Sequence, residues 1–316
     1  MFIKSMFVYL IGEVVSKAIP FILMPYLTRS LGVEGFGELT LYQAWMALAF
    51  IFLSYIQDAA IIRYIYFYGV RSVGLIILVG RCYTIIFAIV ALFFAYIFKD
   101  TFLLLVIVCS LSQSLLKVEM TIQQSLKEPF RYIFILLLSS LLSVFFTVLA
   151  FEFISASVIN RIVSIIVGNF ICIFIAYFFF SRSFFQFRWS AKNIKLGVGY
   201  FFAFSTPLIF NSLSTFCKGQ FDRLLISEKF SISELGEYAA GFQLASVLLL
   251  LLLAISRAVE PYCYELLKKK VLTFDIIIGY TLKLLPLFFF FVLVVILVPS
   301  ELSLWFLGPG FNGVKI

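Results

Sequence analysis

Residues 130–150 read Phe-Arg-Tyr-Ile-Phe-Ile-Leu-Leu-Leu-Ser-Ser-Leu-Leu-Ser-Val-Phe-Phe-Thr-Val-Leu-Ala. After Arg131, no charge interrupts this stretch. A helix needs about 20 apolar residues to cross ~30 Å of hydrocarbon, and this run is that long. Similar runs recur throughout the chain. They predict spans at 5–27, 39–57, 82–98, 101–117, 130–150, 157–180, 196–216, 238–256 and 276–298, nine in all. The predicted fold is therefore all-α, a polytopic integral membrane protein.

Composition agrees. Of 316 residues, 63% are hydrophobic and 13% charged, with a mean hydropathy of +1.12. Ordinary soluble domains have roughly 45–50% apolar and ~25% charged residues. The N-terminal apolar run is too long for a cleavable signal and has no small-residue cleavage site after it.

Whole classes of chemistry are excluded. The chain has no histidine, so Ser-His-Asp and Cys-His nucleophilic sites, histidine bases and histidine-ligated zinc or haem are absent. Cys82, Cys109, Cys172, Cys217 and Cys263 form no CxxC and read as small apolar fillers. No GxxxxGK[ST] phosphate loop occurs. Inter-span loops reach only about 25 residues, leaving no folded extramembrane domain for catalysis. No cofactor is called for. The +8 net charge is assigned to cytoplasmic loops and not to nucleic-acid binding.

Cations set the orientation. With an inner N-terminus, cytoplasmic loops hold 14 Lys or Arg and outer loops hold 5. That bias places the N-terminus in the cytoplasm.

The chain also repeats itself. Gly37-Glu38 precedes span two and Gly236-Glu237 precedes span eight, 199 residues apart and topologically equivalent. Tandem repeats are a common transporter architecture. The expected organisation is an N-lobe of six spans (1–180), a basic cytoplasmic connector (181–196) and a partial C-lobe of three spans (197–316).

Several stretches then resemble a known family. Pro20-Phe-Ile-Leu-Met-Pro25-Tyr-Leu-Thr-Arg29-Ser-Leu-Gly32-Val-Glu34-Gly-Phe-Gly37 looks like the first helix and outer loop of Wzx-type O-antigen flippases. Those proteins belong to the multidrug/oligosaccharidyl-lipid/polysaccharide flippase superfamily. Phe221-Asp222-Arg223-Leu224-Leu225-Ile226 with Leu235-Gly236-Glu237-Tyr238, Ala258-Val259-Glu260-Pro261-Tyr262, and Phe306-Leu307-Gly308-Pro309-Gly310-Phe311 follow in the family's order.

The resemblance implies two lobes around a central cavity in the bacterial inner membrane. It also implies that about three C-terminal helices of the family pattern are missing from this chain. The implied substrate is an oligosaccharide on undecaprenyl pyrophosphate, moved from the cytoplasmic to the periplasmic leaflet. Membrane lipids, a polysaccharide polymerase and a chain-length regulator are the implied partners. The alternatives are a cation-coupled multidrug exporter of the same superfamily, a membrane-embedded polymerase or glycosyltransferase, and a non-functional fragment. Short loops argue against the enzyme, and a cationic interior argues against the multidrug exporter.

Charges in hydrocarbon cost ~2.5–3.5 kcal/mol on insertion scales and so point to function. Lys17 is central in span one, with Glu13 one turn earlier. The two form a self-neutralising pair, or Lys17 is a cavity cation that meets an anionic substrate. Glu13, taken as the only deep carboxylate, is the coupling candidate. Pro20 and Pro25 are candidate bending points. Arg161 and Lys283 are candidate cavity cations. Ser164, Gly168 and Cys172 share a face with Arg161. Gln113, with Ser110, Ser114 and Lys117, and Asn211, with Pro207, Ser214 and Lys218, mark polar stripes that either bind sugar hydroxyls or join helices. Asp222 and Arg223 are a candidate gate pair. Arg81 reads as an interfacial anchor.

Overall fold

The computed structural model describes residues 2–70, 73–181 and 191–246, with isolated positions between 278 and 311. The described elements are helical, and no strand occurs among the described residues.

Helix α1 spans Phe2–Ser54, 53 residues. At 1.5 Å per residue a straight helix of that length would reach ~80 Å, more than twice the hydrocarbon thickness. Gly32 breaks it, with φ 71° and ψ −176°. The expected loop between spans one and two is thus a single left-handed glycine. Glycine alone enters that region without a Cβ penalty. Pro20 and Pro25 lie inside α1, yet the backbone around both stays helical. The expected bend is at Gly32 instead.

The other elements are α2 (Gln57–Tyr68), α3 (Val73–Ile97), α4 (Thr101–Ser125), α5 (Pro129–Phe153), α6 (Val158–Ala176), α7 (Ala191–Gly219) and α8 (Phe221–Lys229). A π turn over Tyr177–Ser181 extends α6, and a further helix occupies 232–246. Six of the described helices are long and apolar enough to cross a membrane, and α1 among them holds two expected spans. Expected spans eight and nine lie mostly outside the described residues. Residues 191–196, expected in the connector, already belong to α7.

Short turns fold the spans into hairpins. Asp100 caps α4, accepting the amides of Phe102 at 2.9 Å and Leu103 at 3.2 Å. Lys99 before it has a left-handed φ of 52°. Pro129 starts α5, where its missing N–H costs nothing. Ser157 caps α6 by accepting from the Asn160 amide at 3.3 Å.

Polarity decides which helix is central. Helix α4 carries Ser110, Ser112, Gln113, Ser114, Thr121, Gln123 and Ser125, and it packs against α1, α2, α3, α5 and α6. Hydrocarbon offers those side chains no partners, so the helix that bears them is shielded. Helix α5 keeps Phe134, Leu141, Phe145 and Val148 exposed, as a lipid face requires. The two halves of α1 take different neighbours. The first half runs alongside α5, with Tyr132 donating to Glu13 at 2.5 Å and Tyr26 donating to Glu152 at 2.9 Å. The second half runs alongside α4, with Tyr42 against Phe102 and Ser110 donating to the Met46 carbonyl at 3.1 Å.

Candidate functional site

Helix α1 lays Gly12 against α5 so closely that a Cβ there would come within 2.5 Å of Ile133. Glu13 turns toward the same neighbour and accepts from Tyr132. The expected Glu13–Lys17 pair is therefore replaced by a Glu13–Tyr132 hydrogen bond. Lys17 is exposed, with no ion pair among the described residues. It shares a helix face with Phe21 and Met24, four and seven residues on. That face meets the chain's C-terminal motif. Phe21 lies 5.5 Å from Phe306 between ring centroids, and Met24 clusters with Ala239, Ala240, Leu307 and Phe311. Lys17 thus stands exposed, one turn along α1 from Phe21 and two from Met24.

Arg161 is elsewhere. It is buried between α6 and α5 and donates through Nη1 to the Ser143 hydroxyl at 2.9 Å, the Ser143 carbonyl at 3.2 Å and the Thr147 hydroxyl. The expectation of a cavity cation beside Lys17 is corrected: this guanidinium joins two helices of one bundle. Packing between helices won because Ser143 and Thr147, one turn apart on α5, present acceptors across the interface.

Gln113 is half-buried, and its amide lies 3.7 Å from the Cys109 sulfur. Its neighbours Ser110, Ser112 and Ser114 are buried and join helices: Asn169 donates to Ser112 at 3.0 Å and Gln57 to Ser114 at 3.0 Å. Asn211 is exposed on α7, four residues after Pro207. Asp222 and Arg223 form no mutual salt bridge. Tyr238 donates to the Asp222 carboxylate, and the Arg223 guanidinium lies 5.3 Å from the centroid of the Phe242 ring. Burial draws the Arg223 pKa below its ordinary value, while Asp222 acts in the opposite direction. The expected gate pair becomes two links from α8 to the 232–246 helix. Lys283 lies outside the described residues, as does the 258–262 motif.

One buried pair was not foreseen. Glu119 on α4 has a side chain 1% exposed and forms a salt bridge with Arg81 of α3, whose side chain is 18% exposed. Glu13 is therefore not the only deep carboxylate, and Arg81 is more than an interfacial anchor. The pair lines a cavity of about 400 Å³ together with Ile85, Leu115, Phe170, Ile173, Phe174 and Tyr177. Arg81 also lies over the Tyr177 ring, 5.8 Å from its centroid. The sequence signal was present: Arg81 and Glu119 each sit next to an apolar run. Nothing in sequence spacing showed that they meet.

Helix α2 was also missed. Tyr55 and Ile56, with φ 44° and 54°, end α1 abruptly. The carbonyls released there are taken up by Tyr83, which donates to Phe52 at 3.0 Å, and Thr84, which donates to Leu53 at 2.8 Å. Backbone groups freed inside a membrane protein need such partners. Gln57, buried, then donates to Thr84 at 3.2 Å. No group of three or more metal-ligating side chains occurs among the described residues.

A family model described as polysaccharide biosynthesis protein matches residues 2–267. An Lsg-locus protein of Haemophilus influenzae is 36% identical over 313 residues, covering 99% of this chain and 78% of that protein. A membrane protein of the same organism is 35% identical over 314 residues, again covering 99% and 78%. No solved structure matches.

Proposed function

The chain belongs to the polysaccharide biosynthesis protein family and is a multi-pass membrane protein, and from that premise we propose that it is a flippase for an oligosaccharide carried on undecaprenyl pyrophosphate. It moves the headgroup from the cytoplasmic to the periplasmic leaflet of the bacterial inner membrane. It does so as a transporter and not as a catalyst. The N-terminus is cytoplasmic, so the Gly32 end of the bundle faces the periplasm. Residues 1–180 form one lobe and residues from 197 onward contribute to the second. Alternating access between the lobes carries the sugar, while the polyprenyl tail stays in lipid.

The observation that carries this reading is Lys17. A cation in the apolar part of a membrane helix is costly. Its neighbour Glu13 is engaged by Tyr132, and Lys17 stays exposed on the face that leads to Phe306 and Leu307. A pyrophosphate leaving water needs a charged donor to replace its hydration. Lys17 supplies one, and Lys283 and Asn211 are its proposed companions. A site for cationic drugs would favour a carboxylate at this place.

The test is Lys17→Met against Lys17→Arg, each introduced at the native locus. Loss of surface polysaccharide with accumulation of cytoplasmic lipid-linked oligosaccharide in Lys17→Met, and retention in Lys17→Arg, supports the proposal. Unchanged surface glycan in Lys17→Met at normal membrane levels refutes the role of Lys17.

A further inference from the structure

The two Gly-Glu repeats touch. A Cβ on Gly37 would collide with the carbonyl oxygen of Ile232 and lie 3.0 Å from the amide nitrogen of Gly236. A Cβ on Gly236 would collide with the carbonyl oxygen of Val33 and lie 3.1 Å from the amide nitrogen of Gly37. The contacts are reciprocal. Each glycine takes the carbonyl of the residue four positions before the other glycine. The same 199-residue offset relates Val33 to Ile232 and Gly37 to Gly236. A local two-fold axis therefore runs between the glycines, relating the second half of α1 to the 232–246 helix.

Only glycine permits this approach. Its second Hα points where a Cβ would be, directly at a carbonyl oxygen. That is the geometry of the Cα–H···O contacts found at close helix crossings. Apolar packing surrounds the crossing. Phe36, Ala239, Ala240, Leu307 and Phe311 form a buried cluster, with Val33 and Phe306 against it. Phe36 meets Phe311 edge-to-face at 6.1 Å. Gly308 and Gly310, with φ of 97° and 108°, bring the 306–311 turn onto Arg29 and Val33. Three stretches far apart in the chain converge at one plug near the Gly32 end. Lys17 lies deeper along α1, about one turn past Phe21 and two past Met24 from Gly32.

We propose that Gly37 and Gly236 are positioning residues that close the Gly32 end of the route to Lys17. Their crossing holds the two halves of the molecule together at that end, and translocation requires it to part. The crossing itself stands on geometry alone; its role as a gate rests on the transport reading.

The experiment uses the full chain in membrane vesicles, with the five native cysteines replaced by alanine. First, Val33→Cys with Ile232→Cys is treated with a short bismaleimide. The expected result is efficient intramolecular crosslinking, reduced on the order of tenfold by adding Gly37→Leu, because an overpacked crossing separates. Second, single-cysteine Lys17→Cys is exposed to a membrane-impermeant maleimide from the Gly32 side. Labelling is expected to be slow with Gly37 present and faster with Gly37→Leu. Gly199→Leu, where an added Cβ meets nothing within 4 Å, controls for bulk, and thermal unfolding confirms folding of each variant. Crosslinking that Gly37→Leu leaves unchanged overturns the crossing. Labelling of Lys17→Cys that Gly37→Leu leaves unchanged overturns the gate. Neither readout uses a lipid-linked sugar, so failure of the substrate assignment is separately visible.

Discussion

Glu119→Gln removes the carboxylate partner of Arg81 without changing volume. The Glu119 side chain is 1% exposed and that of Arg81 is 18% exposed, so water replaces little of what is lost. Breaking a buried ion pair by deleting one partner costs ~3–5 kcal/mol. The partial exposure of Arg81 puts the expected loss near the lower end, about 3 kcal/mol. At about 2–4 °C per kcal/mol for a chain of this size, the unfolding temperature should fall by roughly 6–12 °C. Two natural reporters suit the assay. Cys109 and Cys172 are buried and label with a fluorogenic maleimide only once the bundle opens. The double variant Arg81→Met with Glu119→Leu places apolar side chains where both charges were. It should recover most of the loss, to within ~1 kcal/mol of the parent. A single-variant loss below ~1 kcal/mol, or a double variant whose loss equals the sum of the two singles, would refute the pairing.

Thr147→Val keeps shape but removes an acceptor from the buried Arg161 guanidinium, and it should cost about 1.5–3 kcal/mol in the same thermal assay. Gly12→Leu should destabilise by ~1–3 kcal/mol through overpacking against Ile133, while Gly199→Leu leaves the unfolding temperature nearly unchanged. Asp100→Ala should lose ~1 kcal/mol as α4 loses its cap, and Asp100→Asn should retain most of it.

Where a residue's fate depended on its transfer to hydrocarbon, the sequence was enough. Runs such as 130–150 can exist only as helices in lipid, because every backbone group must be satisfied within its own segment. The family followed from ordered motifs, since Pro20 to Gly37, Leu235 to Tyr238 and Phe306 to Phe311 are each local. The 199-residue repeat was legible for the same reason, because matching residues and their place before a span can be read without contacts.

Partnership was decided only in three dimensions. Arg161 looked like a cavity cation because a buried charge in a list of residues shows no partner; Ser143 and Thr147 on the next helix make it a structural tie. Arg81 and Glu119, 38 residues apart, meet because α3 and α4 fold back on each other. Asp222 and Arg223, adjacent in sequence, turn instead to Tyr238 and Phe242. Composition and periodicity determined that this chain is a helical membrane protein and where most of its spans lie, since transfer energies add up residue by residue along one segment. Which charges are sealed between helices, and which, like Lys17, stay exposed, depends on what stands opposite each side chain; only the packed bundle fixes that.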